Sequence, residues 1–152
     1  MGTQLKSINK NMTSRLFAVQ SLFQMEAVGK TFSQIKKELK EKLQKEQFEY
    51  STLVKPNYNL CEKIIEGASS NQKIIDNSIN KAFDNQWNIK TIDPTLRAIL
   101  RAATSEIIQN ITPVKVVISQ FIEITETFYP SGKEQSLING LLNKILTDLK
   151  ID

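Results

Sequence analysis

Apolar residues recur every three or four positions through most of this chain, a spacing that an α-helix buries along one side and a β-strand cannot. Leu96, Ile99, Leu100, Ala103 and Ile107 form one such stripe. Val114, Val117, Ile118, Phe121, Ile124 and Phe128 form the next, and Leu137, Ile138, Leu141, Leu142, Ile145 and Leu149 a third. No window alternates as a half-buried strand must. The most β-like run, Val116-Val117-Ile118, lies inside a longer helical stripe. The chain therefore reads as all-α, a compact bundle of six or seven helices. Leu100, Ile107, Phe121, Leu141 and Ile145 are expected in its core.

Helix boundaries follow from residues that satisfy or break backbone hydrogen bonds. Thr13 or Ser14 is expected to cap a first helix that stops at Gly29. Thr31 and Gln34 have the spacing of a capping box, opening a helix with Phe32, Ile35, Leu39 and Leu43 inward. Residues 47–57 read as a loop ending at Pro56, and Asn57 caps a long stretch from Tyr58 to Phe83 that bends between Gly67 and Asn71. Asp93-Pro94 and Thr112-Pro113 each supply a cap followed by a proline that fits the first helical turn. Pro130 to Gly132 break the chain before the last helix. Gly140, inside that helix, reads as a point of close helix packing.

A length of 152 residues is enough to bury roughly 70% of the unfolded surface in one domain without disulfides or metals. One domain is expected over 1–152, with helical halves of about 1–85 and 86–152 that meet near Asn85, and with Trp87 wedged between them. The apolar runs are too short for a membrane span, and no apolar leader stands at the N-terminus. Cys61 is the only cysteine and suits a reducing compartment, as a small buried apolar residue. There is no histidine, which removes Ser-His and Cys-His dyads and imidazole metal sites. The carboxylate pairs Glu38–Glu41 and Glu123–Glu126 read as solvated helix surface. No catalytic residue, cofactor or metal is expected.

The charge pattern is more informative than the net charge of +4. No acidic residue occurs from Met1 to Met25, while Lys6, Lys10 and Arg15 are basic. Helix starts carry partial positive charge and usually attract Asp or Glu, so this corner favours anions. Lys6, Lys10, Arg15, Gln20 and Phe23 are the candidate RNA-contacting residues: cations for phosphates, Phe23 to stack on a base, Gln20 to hydrogen-bond. The alternative is a solvated basic tail with Phe23 in the core. Arg97 and Arg101 could bind phosphate, but pairing with carboxylates such as Glu106, or with one across the bundle, is the favoured reading.

Several blocks, in order, resemble the NusB family of transcription antitermination factors. They are Arg15-Leu16-Phe17-Ala18-Val19-Gln20-Ser21-Leu22-Phe23-Gln24, then Trp87, Ile92-Asp93-Pro94, Leu96 to Arg101, Ser105-Glu106-Ile107, Thr112 to Ile118, and Ile138 to Ile145. Between Lys30 and Asn85 the likeness is one of length and helical character. The resemblance implies a bacterial, cytoplasmic, all-helical protein that is not an enzyme. It implies pairing with ribosomal protein NusE and binding of boxA-type single-stranded RNA. It further implies action in an RNA polymerase antitermination complex on ribosomal RNA operons. Four places depart from the family's pattern. Asn11, Met12, Thr13 and Ser14 stand where an arginine-rich cluster is usual; Phe23 replaces a tyrosine; Leu137-Ile138 replaces Phe-Val. Ser119-Gln120 also stands where Asn-Glu is common. Two other functions remain open: a helical interaction module that has lost RNA binding, and an accessory domain of an RNA methyltransferase. The second needs a glycine-rich cofactor domain and a catalytic cysteine that do not follow here.

Overall fold

Each turn chemistry in the chain sets the start or stop of a helix, and together they fix the architecture. A computed structural model describes residues 9–44 and 56–151. Among these residues the chain forms seven α-helices and no strand: α1 (Lys10–Val28), α2 (Phe32–Gln44), α3 (Tyr58–Ser70), α4 (Gln72–Ala82), α5 (Pro94–Ile108), α6 (Val114–Phe128) and α7 (Lys133–Asp148). The expected loop at 47–57 falls mostly outside the described residues, as does the side chain of Leu43.

Most of the expected caps are present. Gly29 takes the left-handed conformation (φ 76°) that ends α1. Thr31 N donates to Gln34 Oε1 at 2.9 Å, and Gln34 N donates back to Thr31 Oγ1 at 3.2 Å, which completes the capping box. Asn57 accepts from Asn59 N and Leu60 N, and Asp93 accepts from Thr95 N. Two starts differ from expectation. Asn9, not Thr13 or Ser14, caps α1, and Pro113 itself is the residue before α6, with no side-chain cap from Thr112.

The apolar stripes converge on one continuous core. Leu100, Ile107, Phe121, Leu141 and Ile145 are all buried, Leu100 completely. Helix α5 is the hub: it packs on α1, α3, α4, α6 and α7, while α4 also packs on α7. The close approach of α3 to α5 occurs at Gly67, where an added Cβ would lie 2.6 Å from Ser105 Oγ. Gly140 has open space at the Cβ position, so close packing does not account for it. Trp87 is no wedge either: it is 52% exposed and meets Phe83 edge-on, with ring centres 5.8 Å apart. The chain turns through Asp84 and Asn85, both at positive φ, and that turn puts Phe83 inside and Trp87 at the rim. Cys61 is buried as expected, and burial pushes its thiol up to about 12.

Ion pairs lock helices where apolar packing meets solvent. Arg97 donates from Nε to Glu26 Oε1 at 2.6 Å and also pairs with Glu26 through its second terminal nitrogen. Arg101 holds Asp76 through two bonds of 2.9 Å and reaches Glu26 at 3.1 Å. Thus the carboxylates across the bundle neutralise both arginines. At the far end of α6, Tyr129 Oη donates to Asp93 Oδ2 at 2.7 Å, tying the close of α6 to the start of α5.

Two outcomes follow. Leu100→Ala should lower unfolding free energy by about 2–5 kcal/mol, read from urea unfolding, because a fully buried leucine leaves a cavity. The hydrogen bonds from Arg97, with the charges of Arg97 and Arg101, hold the Glu26 carboxyl below its ordinary value of 4.5. A depressed folded-state value stabilises the fold above the unfolded value and loses that contribution as pH falls through the folded one. Wild-type Tm should therefore drop more steeply than that of Glu26→Gln as pH is lowered below about 4.5; parallel curves would show that the pair contributes nothing.

Candidate nucleic-acid interface

The first turn of α1 is built from uncharged and basic groups. Asn9 Oδ1 accepts from Met12 N at 2.8 Å, and the turn contains no acidic residue. Thr13 and Ser14 lie one turn further in and are buried. Thr13 Oγ1 donates to Asn9 O at 3.0 Å. Ser14 Oγ accepts from Asn57 N at 2.7 Å and hangs the start of α3 on α1. Lys10 and Asn11 remain exposed.

Arg15 does not stand on that surface. It is 2% exposed, and its partner Glu106 is fully buried. Nε donates to Glu106 Oε1 at 2.8 Å and one terminal nitrogen to Oε2 at 2.7 Å, a two-pronged pair. The other terminal nitrogen donates to Gln120 Oε1 at 3.2 Å. The expected phosphate fork is thus an internal clamp joining α1, α5 and α6. The reason is the depth of α1: residues 12–19 are buried all round, between α3, α5, α2 and α6. A cation at that depth needs a carboxylate. The sequence held one signal for this, since Glu106 sits next to Ile107 within a buried stripe and has no exposed face to use.

Helix α6 runs beside α1, and the groove between them has two recesses. The first, about 550 Å³, is lined by Asn9, Lys10, Asn11, Arg15, Thr112, Val116 and Gln120. The second, about 190 Å³ and apolar, is lined by Val19, Gln20, Phe23, Thr95 and Phe128. Lys10 and Phe23 are thirteen residues apart, about 20 Å along the axis and about 140° around it, so they serve opposite ends of the groove. Gln20 is exposed beside Phe23, which is 39% exposed and not in the core. Lys6 lies outside the described residues. The expected set is therefore split, with Lys10 at the basic end, Gln20 and Phe23 at the aromatic end, and Arg15 beneath. Val116, Gln120 and Phe128 complete the groove from α6. The apolar spacing of α6 runs on to Phe128, but this stripe outruns the core by one turn and leaves the ring 38% exposed.

Among the described residues no group of three or more Cys, Asp or Glu could hold a metal ion, and no helix is long and apolar enough to cross a membrane.

Comparison with known proteins identifies the chain's relatives. A sequence profile of the NusB family matches residues 12–147. Transcription antitermination protein NusB of Rhizobium meliloti (strain 1021) is 31% identical over 149 residues, covering 97% of this chain and 92% of the relative. The protein of that name from Caulobacter vibrioides is 32% identical over 144 residues, covering 94% and 96%. Among solved structures, T. maritima NusB superposes with a TM-score of 0.71 at 25% identity, covering 97% of this chain and 94% of that one. A crystal structure of antitermination factors NusB and NusE in complex with dsRNA gives a TM-score of 0.72 at 20% identity, covering 90% and 96%. The last likeness is one of fold.

The two ends of the groove should respond differently to truncation. Arg15→Ala strands Glu106 without a partner and should cost about 3–5 kcal/mol in urea unfolding. Phe23→Ala, at a partly exposed site, should cost about 1 kcal/mol or less. Equal losses would place Phe23 in the core.

Proposed function

The chain belongs to the NusB family, and from that premise we propose that it is an RNA-binding transcription antitermination factor. It pairs with ribosomal protein NusE, binds boxA-type single-stranded RNA as the transcript emerges, and supports RNA polymerase read-through in ribosomal RNA operons. It acts in the bacterial cytoplasm, as one domain, and the reading assigns it no catalysis. The observation that carries this is the family match over residues 12–147, which takes in nearly all of the seven helices. The α1–α6 groove supports it: an acid-free helix start with Lys10 at one end, an exposed phenylalanine pair at the other. Lys10 meets phosphate, Phe23 stacks on an unpaired base, Gln20 hydrogen-bonds beside it, and Lys6, four residues before Lys10 in the sequence, adds a second cation.

A second reading is a helical interaction module that no longer binds RNA. The burial of Arg15 favours it, because one of the three expected cations is neutralised by Glu106.

One titration separates the two. Fluorescent boxA-type RNA should bind the protein weakly at low salt and more tightly when NusE is added. Lys10→Ala should reduce the salt slope by about 0.7, one phosphate contact on a single strand. Absence of RNA binding with and without NusE, where NusE itself still binds, would select the interaction module.

A further inference from the structure

The head of the α1–α6 groove contains a side chain whose orientation the fold dictates. Arg15 has donors only, so the Gln120 atom that faces it at 3.2 Å is the amide oxygen. The amide nitrogen, with its two N–H groups, is then the end of Gln120 left for the recess that the residue lines. Arg15 is itself held from below by Glu106 through two bonds, so neither the guanidinium nor the glutamine oxygen is at liberty to turn.

The surroundings select an anion as the occupant. The residues lining the recess are Asn9, Lys10, Asn11, Arg15, Thr112, Val116 and Gln120, with no carboxylate among them. The carboxylate that Arg15 meets beneath the recess, Glu106, is cancelled by it. Two helices, α1 and α6, begin at this recess, and neither has an acidic residue in its first turn. Lys10 supplies a full positive charge at the rim. Neutral donors, one cation and two helix starts suit a phosphate oxygen and give a cation no ligand set.

Resting on the RNA-binding reading above, we propose that Gln120 is a phosphate-contacting residue. Arg15 serves as its positioning residue, and Lys10 supplies the charge across the same recess. Arg15 thereby acts on RNA without touching it: the clamp expected to grip phosphate directly instead aims a neutral donor at it.

The test compares Gln120→Ala, Gln120→Glu and Lys10→Ala with wild type in the complex with NusE, using boxA-type RNA and a scrambled RNA of the same length. Gln120→Ala should weaken both RNAs about tenfold, the loss of one hydrogen bond to a charged group, with the salt slope unchanged because a neutral side chain releases no ions. Gln120→Glu keeps an oxygen for Arg15, so Tm should not fall; it restores the residue common in the family without the arginine-rich cluster that accompanies it there, so the loss of the amide N–H donors should weaken RNA at least as much as alanine does. A merely structural glutamine would give the reverse: Tm lowered by alanine, and glutamate binding RNA like wild type. If Lys10→Ala weakens RNA while both Gln120 variants bind within twofold of wild type, the proposal fails and the RNA-binding reading stands. A loss confined to the boxA sequence would place the donor on a base and overturn the phosphate assignment. If wild type binds neither RNA, with NusE bound, the reading fails and the proposal with it.

Discussion

The packing of α1 against α5 and α6 is organised around one buried ion pair. Arg15 and Glu106 are 2% and 0% exposed, so both have lost their water, and each would cost several kcal/mol if left alone. The two-pronged geometry and the third bond to Gln120 satisfy the guanidinium along both of its edges. A pair of similarly sized apolar residues could stabilise the core as well or better. What an ion pair adds is selectivity of arrangement: leucines tolerate a slip of one helix along another, whereas a fork and a carboxylate meet in a single register. The pair thus sets where α1 lies on α5, and Gln120 carries that setting to α6.

A second fastening lies eleven residues further along α1. Glu26 receives Arg97 and shares Arg101 with Asp76 of α4. Residues 15 and 26 of α1 thus meet residues 106 and 97 of α5, an antiparallel pair pinned at two points about 16 Å apart by helix rise. One fastening leaves a helix free to pivot, and two do not. Both rotation and height of α1 are fixed, and with them the positions of Lys10 at one end of the groove and Phe23 at the other. The polarity of the two pins is reversed, with the cation on α1 in one and on α5 in the other. Sliding α1 by half its length or reversing it would bring like charges together.

The sequence shows local features well and distant partners poorly. Gly29, the Thr31–Gln34 box, Asn57 and Asp93-Pro94 act on backbone groups within four residues, and their spacing alone defines them. Thr13 and Ser14 misled because a hydroxyl serves equally as a cap or as a donor to the carbonyl four residues back, the role both play here. Arg15 misled for a different reason. Its partner is 91 residues away, and residue type alone does not tell a surface cation from a buried one on a helix enclosed on every side. The low amphipathicity of α1, with Thr13, Ser14 and Arg15 breaking its stripe, was the trace of that enclosure. Size favours an inward place for Trp87, but the turn at Asp84 and Asn85 gives that place to Phe83.

The same enclosure alters how the groove would hold RNA. A net charge of +4 suggests a basic protein, yet the arginines at 15, 97 and 101 are all committed to carboxylates, and Lys36 to Glu62 at 2.8 Å. Little of the formal charge faces the recess beyond Lys10. Affinity for nucleic acid from few phosphate contacts is low and depends weakly on salt, since each contact releases only about 0.7 of an ion on a single strand. Such a surface gains specificity from fixed donors and from stacking faces, both of which require rigidity more than charge. The two pins on α1 supply rigidity of that kind: they use charges that could have met phosphate to hold in place Lys10, Gln120 and Phe23, the residues proposed to meet RNA. On the proposed reading, a surface so arranged would bind RNA tightly only beside a second surface that adds contacts, which is the physical reason that so short a basic edge would call for a partner protein.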